Sequence, residues 1–199
     1  MVRMGVGRAA MLEPIYKANV APQRRALVSG GGVSGMTAAL SIADSGYNVT
    51  LIERDQYLGG NLHKVQYLVE GEDPHKLLRD LVNRIIAHER IEVHTRTEVV
   101  EHSGHVGAYH ALLRHQDGTE TKVSHGVTIV STGGEEARVK QYLLGEHPRV
   151  ITQLELENTL AHHIDEIQDL KQVTMIQCVR PDGISYDYCS RICCTSTIK

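Results

Sequence analysis

Phenylalanine and tryptophan are missing from this chain, and eight tyrosines supply its large aromatic rings across 199 residues. A core built from it must therefore rest on Leu, Ile, Val and Ala, with Tyr at its margins. No apolar run approaches the roughly 20 residues of a membrane span. A basic excess is missing as well: 21 Lys and Arg stand against 24 Asp and Glu, a net charge of −3. That balance argues against nucleic acid as the main partner. The opening residues, 1–11, are too polar for a secretory signal and read as a leading helix rather than a transit segment. The cytoplasm is the expected compartment. Cysteine is absent until position 178, and all four (Cys178, Cys189, Cys193, Cys194) fall in the last 22 residues. In a reducing compartment such clustering reads as metal or redox chemistry before structural disulfides. Paired Cys-x-x-Cys knuckles, which zinc would favour, are lacking, and no nucleophile–base pair for hydrolysis is visible.

What is present is concentrated in residues 27–60. An apolar strand runs into Gly30-x-Gly32-x-x-Gly35, a helix follows, and a second apolar strand ends on Glu53, 18 residues after Gly35. Gly30 turns the chain out of the strand, Gly32 lets a pyrophosphate approach the backbone, and Gly35 lets the helix pack close to the strands. The N–H groups of Val33, Ser34 and Gly35 then face the phosphates at a helix N-terminus. The acid lies near the roughly 20-residue offset expected for a ribose-binding carboxylate. Strand, glycines, helix, strand and acid agree in order, which an ordinary glycine-rich turn does not explain. Met36 and Thr37 stand where a P-loop needs Lys-Ser/Thr. This is the layout of a site for an adenine dinucleotide. The pair Gly59-Gly60 points to a flavin rather than to an NAD-type dehydrogenase domain.

The rest of the chain fits an α/β fold: a Rossmann-like parallel sheet with helices and an inserted antiparallel β-meander. Helices are expected over 5–18, 33–45, 74–89 and 152–163. The third would present Leu77, Leu78, Leu81, Val82, Ile85 and Ile86 on one face. The fourth opens on a Thr152/Glu155 capping-box pattern. Buried parallel strands are expected at 26–29, 48–53, 91–94 and 127–131, and a further strand at 172–179 that delivers Cys178. Alternating runs at about 97–102, 107–115 and 120–124, with an Asp117-Gly118 hairpin signal, form the meander. A last helix starts near 189. The domain reading is 1–25 leading helix and connector, 26–172 dinucleotide-binding domain with its insertion at about 95–125, and 173–199 strand and cysteine-rich segment.

Three readings of the cysteines stand: metal ligands, inert thiols packed like small hydrophobes, or a reactive dithiol of Cys189 and Cys193. The twelve histidines read as solvated. His162 and His163 are adjacent on a helix and point apart. Glu135-Glu136 either line a flavin pocket or cap a turn.

The glycine motif, Glu53, Gly59-Gly60 and the strand end Val130-Ser131-Thr132-Gly133 together resemble the flavin half of glutathione- and thioredoxin-reductase-type flavoproteins, with Ser131 a departure from the usual Ala. Gly-Gly-Gly-Val-Ser-Gly-Met-Thr-Ala-Ala-Leu, Leu-Gly-Gly-Asn-Leu, Ser-Thr-Gly-Gly-Glu-Glu, Val-Ile-Thr-Gln-Leu-Glu-Leu-Glu and the tail Tyr-Cys-Ser-Arg-Ile-Cys-Cys resemble the A subunit of heterodisulfide reductase over essentially the whole chain. The resemblance implies an oxidoreductase subunit that holds FAD and passes electrons between flavin and a [4Fe–4S] cluster. It implies FAD contacts from the glycine turn and from Glu53, Arg54, Gly59, Gly60, Asn61, Thr132 and Gly133, with Val99 near the adenine. It implies cluster ligation by Cys178, Cys189, Cys193 and Cys194, four thiolates being what a cube needs. Arg180-Pro181-Asp182-Gly183 stands where the family usually has Gly-Ser-Arg. The implied partners are the other subunits of such a complex, a hydrogenase or dehydrogenase electron donor, and ferredoxin. The family's second domain and its ferredoxin-type cysteine runs have no counterpart here, so the chain reads as partial. The alternative is a flavin-binding module with no catalysis of its own.

Overall fold

Along Arg25–Ser29 (β1) successive side chains point to opposite faces of the sheet. Ala26 and Val28 face one way and Leu27 the other, and all three are buried. This strand is therefore covered on both sides, and the fold is built around it. The computed structural model describes residues 2–13, 21–137, 139–180, 189 and 191–198.

Four parallel strands lie in the order β3-β2-β1-β7, where β2 is Asn48–Ile52, β3 is Ile91–His94 and β7 is Val127–Val130. On one face sit α2 (Val33–Asp44) and α3 (Pro74–Ala87), packed on Val28, Val49 and Leu51 through Met36, Ala39, Ala43, Leu78, Leu81 and Ile85. The buried stripe of α3 is narrower than its pattern suggests. Leu77 and Ile86 are exposed, because they lie at the flanks of the arc centred on Leu78, Leu81 and Ile85.

The other face is covered by the meander, β4 (Thr97–His105), β5 (Ala108–His115) and β6 (Glu120–His125), paired antiparallel in that order. Leu27 and Ile52 meet Ala111 and Leu113 there. The Asp117-Gly118 turn joins β5 to β6, with Gly118 N–H donating to the His115 carbonyl at 2.9 Å. The α/β architecture with an inserted meander is thus as expected.

Three expectations need correction. The strand β7 is parallel as expected but not buried, with Val127 and Val130 exposed. The leading helix is α1 (Val2–Ala10), not 5–18. Met11 and Leu12 already bond three residues back, to Arg8 and Ala9, the tightening of a last turn. Pro14 further disfavours helical backbone at Glu13, and residues 14–20 lie outside the described ones. The stretch 172–179 is not a strand. No described strand pairs with it, and Val173, Met175 and Ile176 are exposed. An apolar alternating run becomes a strand only where a neighbouring edge takes up its backbone hydrogen bonds.

The helix α4 (Gln153–His162) carries the expected capping box. Thr152 N–H donates to the Glu155 carboxylate at 2.7 Å, and Glu155 N–H to Thr152 Oγ1 at 3.3 Å. A short helix α5 (Ile192–Ile198) ends the described chain.

Where the meander meets β7, His102 and His125 stand 2.9 and 2.8 Å, through Nε2, from the same Thr128 hydroxyl. His125 is fully buried, and its Nδ1 has no hydrogen-bond partner among the described residues. Burial pushes its imidazole below the ordinary value; the Val123 backbone pulls the other way, and His102 and His110 add repulsion. The unfolded chain takes up this proton near pH 6.5 and the folded chain resists it, so stability is lost as pH falls below about 6.5. Melting temperatures of wild type and His125→Gln from pH 7.5 to 5 should converge toward the acid end. Parallel curves would show that His125 does not set the slope.

Candidate dinucleotide site

The carboxyl ends of β1 and β2 and the start of α2 form one concave edge. Gly30 N–H donates to the Ile52 carbonyl at 2.9 Å, so the turn leaves β1 still tied to β2. Met36 N–H donates to the Gly32 carbonyl at 2.9 Å, which starts α2. Gly32 caps this helix without any side-chain hydrogen bond, and the first turn holds no acid. The positive end of the helix is thus left for an anion. A Cβ at Gly32 would meet no atom within 4 Å, so the space outside this glycine is open to a ligand. A Cβ at Gly35 would overlap the carbonyl of Gly30. Gly35 is where the first turn of the helix lies directly against the glycine turn.

Glu53 is buried. One carboxylate oxygen accepts from Gly31 N–H at 2.7 Å and the other from Asp55 N–H at 2.9 Å. A carboxylate offers about four lone-pair sites, so two such bonds leave room for a ribose hydroxyl. The acid therefore also fixes the glycine turn, a role its spacing does not reveal. Leu58 packs over Gly31. The glycine pair closes the same edge: Gly59 N–H donates to the Gly31 carbonyl at 2.8 Å, and Gly59 bridges to Gly32.

A third flank comes from the end of β7. Ser131 Oγ lies 3.0 and 3.1 Å from the carbonyls of Ser29 and Gly30. The departure Ser131 thus holds the glycine turn, with Thr132 and Gly133 exposed just beyond it. Asn61 Nδ2 donates to the Gly134 carbonyl at 2.8 Å, which joins the glycine pair to that flank. Arg54 pairs with Glu135. Both are exposed, and such a pair adds little stability, but it places Glu135 at the rim. Val99 packs its side chain on the Leu27–Leu113 cluster behind the site. Beyond Glu53 a groove of about 610 Å³ opens between Arg54, Gln56, Arg96 and Glu98.

The cysteines stand apart from this. Cys178, Cys189, Cys193 and Cys194 are exposed free thiols. Among the described residues no three His, Cys, Asp or Glu side chains converge as metal ligands. The described thiols thus form no ready cluster cradle. The glycine edge, in contrast, fits the adenosine diphosphate part of FAD, with an open helix end for phosphate and spare acceptor capacity on a buried acid.

Fold and edge together define a dinucleotide-binding α/β protein of the flavoprotein class. The family model for FAD dependent oxidoreductase matches residues 26–151, and the chain belongs to that family. It is similar to the A subunit of the Ferredoxin/F(420)H(2)-dependent CoB-CoM heterodisulfide reductase of Methanosarcina acetivorans, 24% identical over 290 positions, with 100% of this chain and 37% of that protein covered. It is 24% identical to the A subunit of the H(2):CoB-CoM heterodisulfide,ferredoxin reductase of Methanothermobacter marburgensis, covering 44% of that protein. A Methanopyrus kandleri protein, an iron-sulfur A subunit of CoB–CoM heterodisulfide reductase, is 37% identical over 110 residues, 55% of this chain and 17% of that one. The chain thus spans well under half the length of these relatives. Among solved structures, the L-proline dehydrogenase from P. horikoshii covers 60% of this chain and 25% of its own at 19% identity and a TM-score of 0.49. No helix among the described residues is long and apolar enough to cross a membrane.

Proposed function

We propose that this chain binds FAD through its adenosine diphosphate part and serves as the flavin-binding piece of an electron-transferring oxidoreductase of the heterodisulfide reductase A kind. The buried Glu53 carboxylate, bound to the glycine turn with acceptor capacity to spare, is the observation that carries this. Gly30, Gly32, Val33, Ser34 and Gly35 would hold the pyrophosphate, and Glu53 with Arg54 the ribose end. Backbone near Val99 would meet the adenine. Gly59, Gly60, Asn61, Thr132 and Gly133 would border the path toward the flavin. Bound flavin would supply the redox chemistry, and the protein's part is to position it and exclude side reactions. Residues 26–172 act as the FAD unit, 1–25 as the leading helix and connector, and 173–199 as the cysteine segment. Cys178, Cys189, Cys193 and Cys194 are proposed as [4Fe–4S] ligands, a reading that rests on the resemblance and on a relative named as an iron-sulfur subunit. Other subunits of such a complex, a hydrogenase or dehydrogenase donor, and ferredoxin are the proposed partners, in the cytoplasm.

A second reading, a flavin-binding module without catalysis, is favoured because among the described residues no three thiols or other metal-ligating side chains converge. Anaerobic purification, a visible spectrum and iron and sulfide analysis separate the two. A flavin spectrum with a broad iron–sulfur band, lost in the Cys193→Ser, Cys194→Ser variant, supports the electron-transfer role. Flavin without iron supports the module. A colourless protein that takes up no added FAD would overturn both.

A further inference from the structure

The helix α4 touches both the loop that follows the glycine pair and the cysteine segment, through two side chains one turn apart on the same face. Glu157 is buried. Its Oε1 accepts from Gln66 N–H at 2.6 Å and Tyr67 N–H at 2.9 Å. Those amides belong to the loop that follows the 3-10 turn Gly60–His63, which contains Asn61 and borders the proposed FAD path. Four residues earlier, about 6 Å along the helix, Gln153 Nε2 donates to Thr197 Oγ1 at 2.5 Å and lies 3.3 Å from Gln177 Oε1. Gln177 Nε2 also donates to Thr197 Oγ1, at 2.5 Å, and that hydroxyl donates to the Cys193 carbonyl at 2.8 Å. Thr197 therefore uses both lone pairs and its proton, the full capacity of a hydroxyl. Gln177 immediately precedes Cys178, whose φ of +60° turns the chain.

Such a saturated network holds one arrangement. A buried carboxylate on two backbone amides is the stronger, charge-assisted form of hydrogen bond. We infer that α4 is a strut that couples occupancy of the dinucleotide edge to the position of the cysteine segment, with Glu157 and Gln153 as positioning residues. The inference rests on the FAD reading above. FAD would order the 60–68 loop, Glu157 would pass that order to α4, and Gln153 would pass it to Gln177, Thr197 and the thiols beside them. Two ends of one rigid element ordered by one ligand are coupled without any large movement.

The test is alkylation by N-ethylmaleimide, read at each cysteine by peptide mass spectrometry with and without FAD, beside FAD binding by fluorescence. Saturating FAD should slow labelling of Cys178 and Cys193 by about fivefold, the low end of ordinary coupling between sites. Gln153→Ala should keep FAD binding and lose the response. Glu157→Ala should weaken FAD binding and lose the response. Glu157→Gln should recover both in part, because its amide oxygen can still accept from both N–H groups. Where Glu157→Ala does not fold, Gln153→Ala and Glu157→Gln carry the test. Bound FAD with unchanged labelling, or a full response in Gln153→Ala, overturns the strut. Failure of wild type to take up FAD overturns the FAD reading instead. The strut is then decided by amide hydrogen exchange, where Gln153→Ala should speed exchange at Gln66 and Tyr67 by about fivefold, and unchanged exchange overturns it.

Discussion

Gly35→Ala is expected to melt about 2–12 °C below wild type and to bind FAD at least about 30-fold more weakly. The new methyl group has no space: it would overlap the Gly30 carbonyl and crowd Ser131 Oγ, 2.7 Å from the ideal Cβ position. The first of these is backbone and cannot rotate away. Overpacking of this kind costs about 1–3 kcal/mol, and each kcal/mol shifts the melting point by about 2–4 °C in a chain of this size. The relief available is to lift α2 off β1. That movement displaces the amides meant for the pyrophosphate, and a loss of about 2 kcal/mol there is roughly a 30-fold change in affinity. Calorimetric melting with a fluorescence FAD titration checks both numbers. A variant that melts lower but binds FAD normally would keep the packing argument and refute the phosphate role of the helix end.

Glu53→Gln should lower FAD affinity by about 100-fold with a smaller loss of stability. Both carboxylate oxygens already accept backbone N–H groups, from Gly31 and Asp55. An amide has one acceptor oxygen, so its NH2 group must face one of those donors. A hydrogen bond to a charged group contributes about 1.5–3 kcal/mol. Losing the ribose acceptor, near the upper end of that range, is roughly the 2.8 kcal/mol of a 100-fold change. The variant should still fold, because the apolar clusters on both faces of the sheet do not include Glu53. FAD binding within about twofold of wild type would show that this acid holds only the turn.

The site was largely legible in the chain because its parts are local. The glycines, the helix they start and the acid that closes the unit lie within 24 residues, 30–53, and the spacing of a βαβ unit carries them to one edge. The meander was legible for a similar reason, since an Asp-Gly turn between alternating runs defines a hairpin without help from afar. Ser131 stood out only as a departure. Its role needs Ser29 and Gly30, about a hundred positions earlier, brought alongside by β7. Glu157 entered only as the last residue of the motif at 150–157, with no role attached to it. It lies in a capped helix, and the loop that donates Gln66 and Tyr67 N–H to its carboxylate comes from about ninety positions earlier. The expected strand at 172–179 failed for the converse reason: its pattern was adequate, and no described strand offers it an edge.

By itself, then, the sequence determined what depends on near neighbours: the glycine turn, the parallel βαβ unit, the hairpin, the capping box and membership of the flavin-binding class. Backbone geometry and hydrophobic period act over a few residues, so they can be read from a line of letters. The tertiary structure alone decided which partners close the circuit over long separations. These are Ser131 on the turn, Asn61 on Gly134, Glu157 on the loop, and Gln153 on Gln177 and Thr197. Each of these polar contacts depends for its strength on a few tenths of an ångström and on burial, and neither exists until the sheet has brought distant segments together.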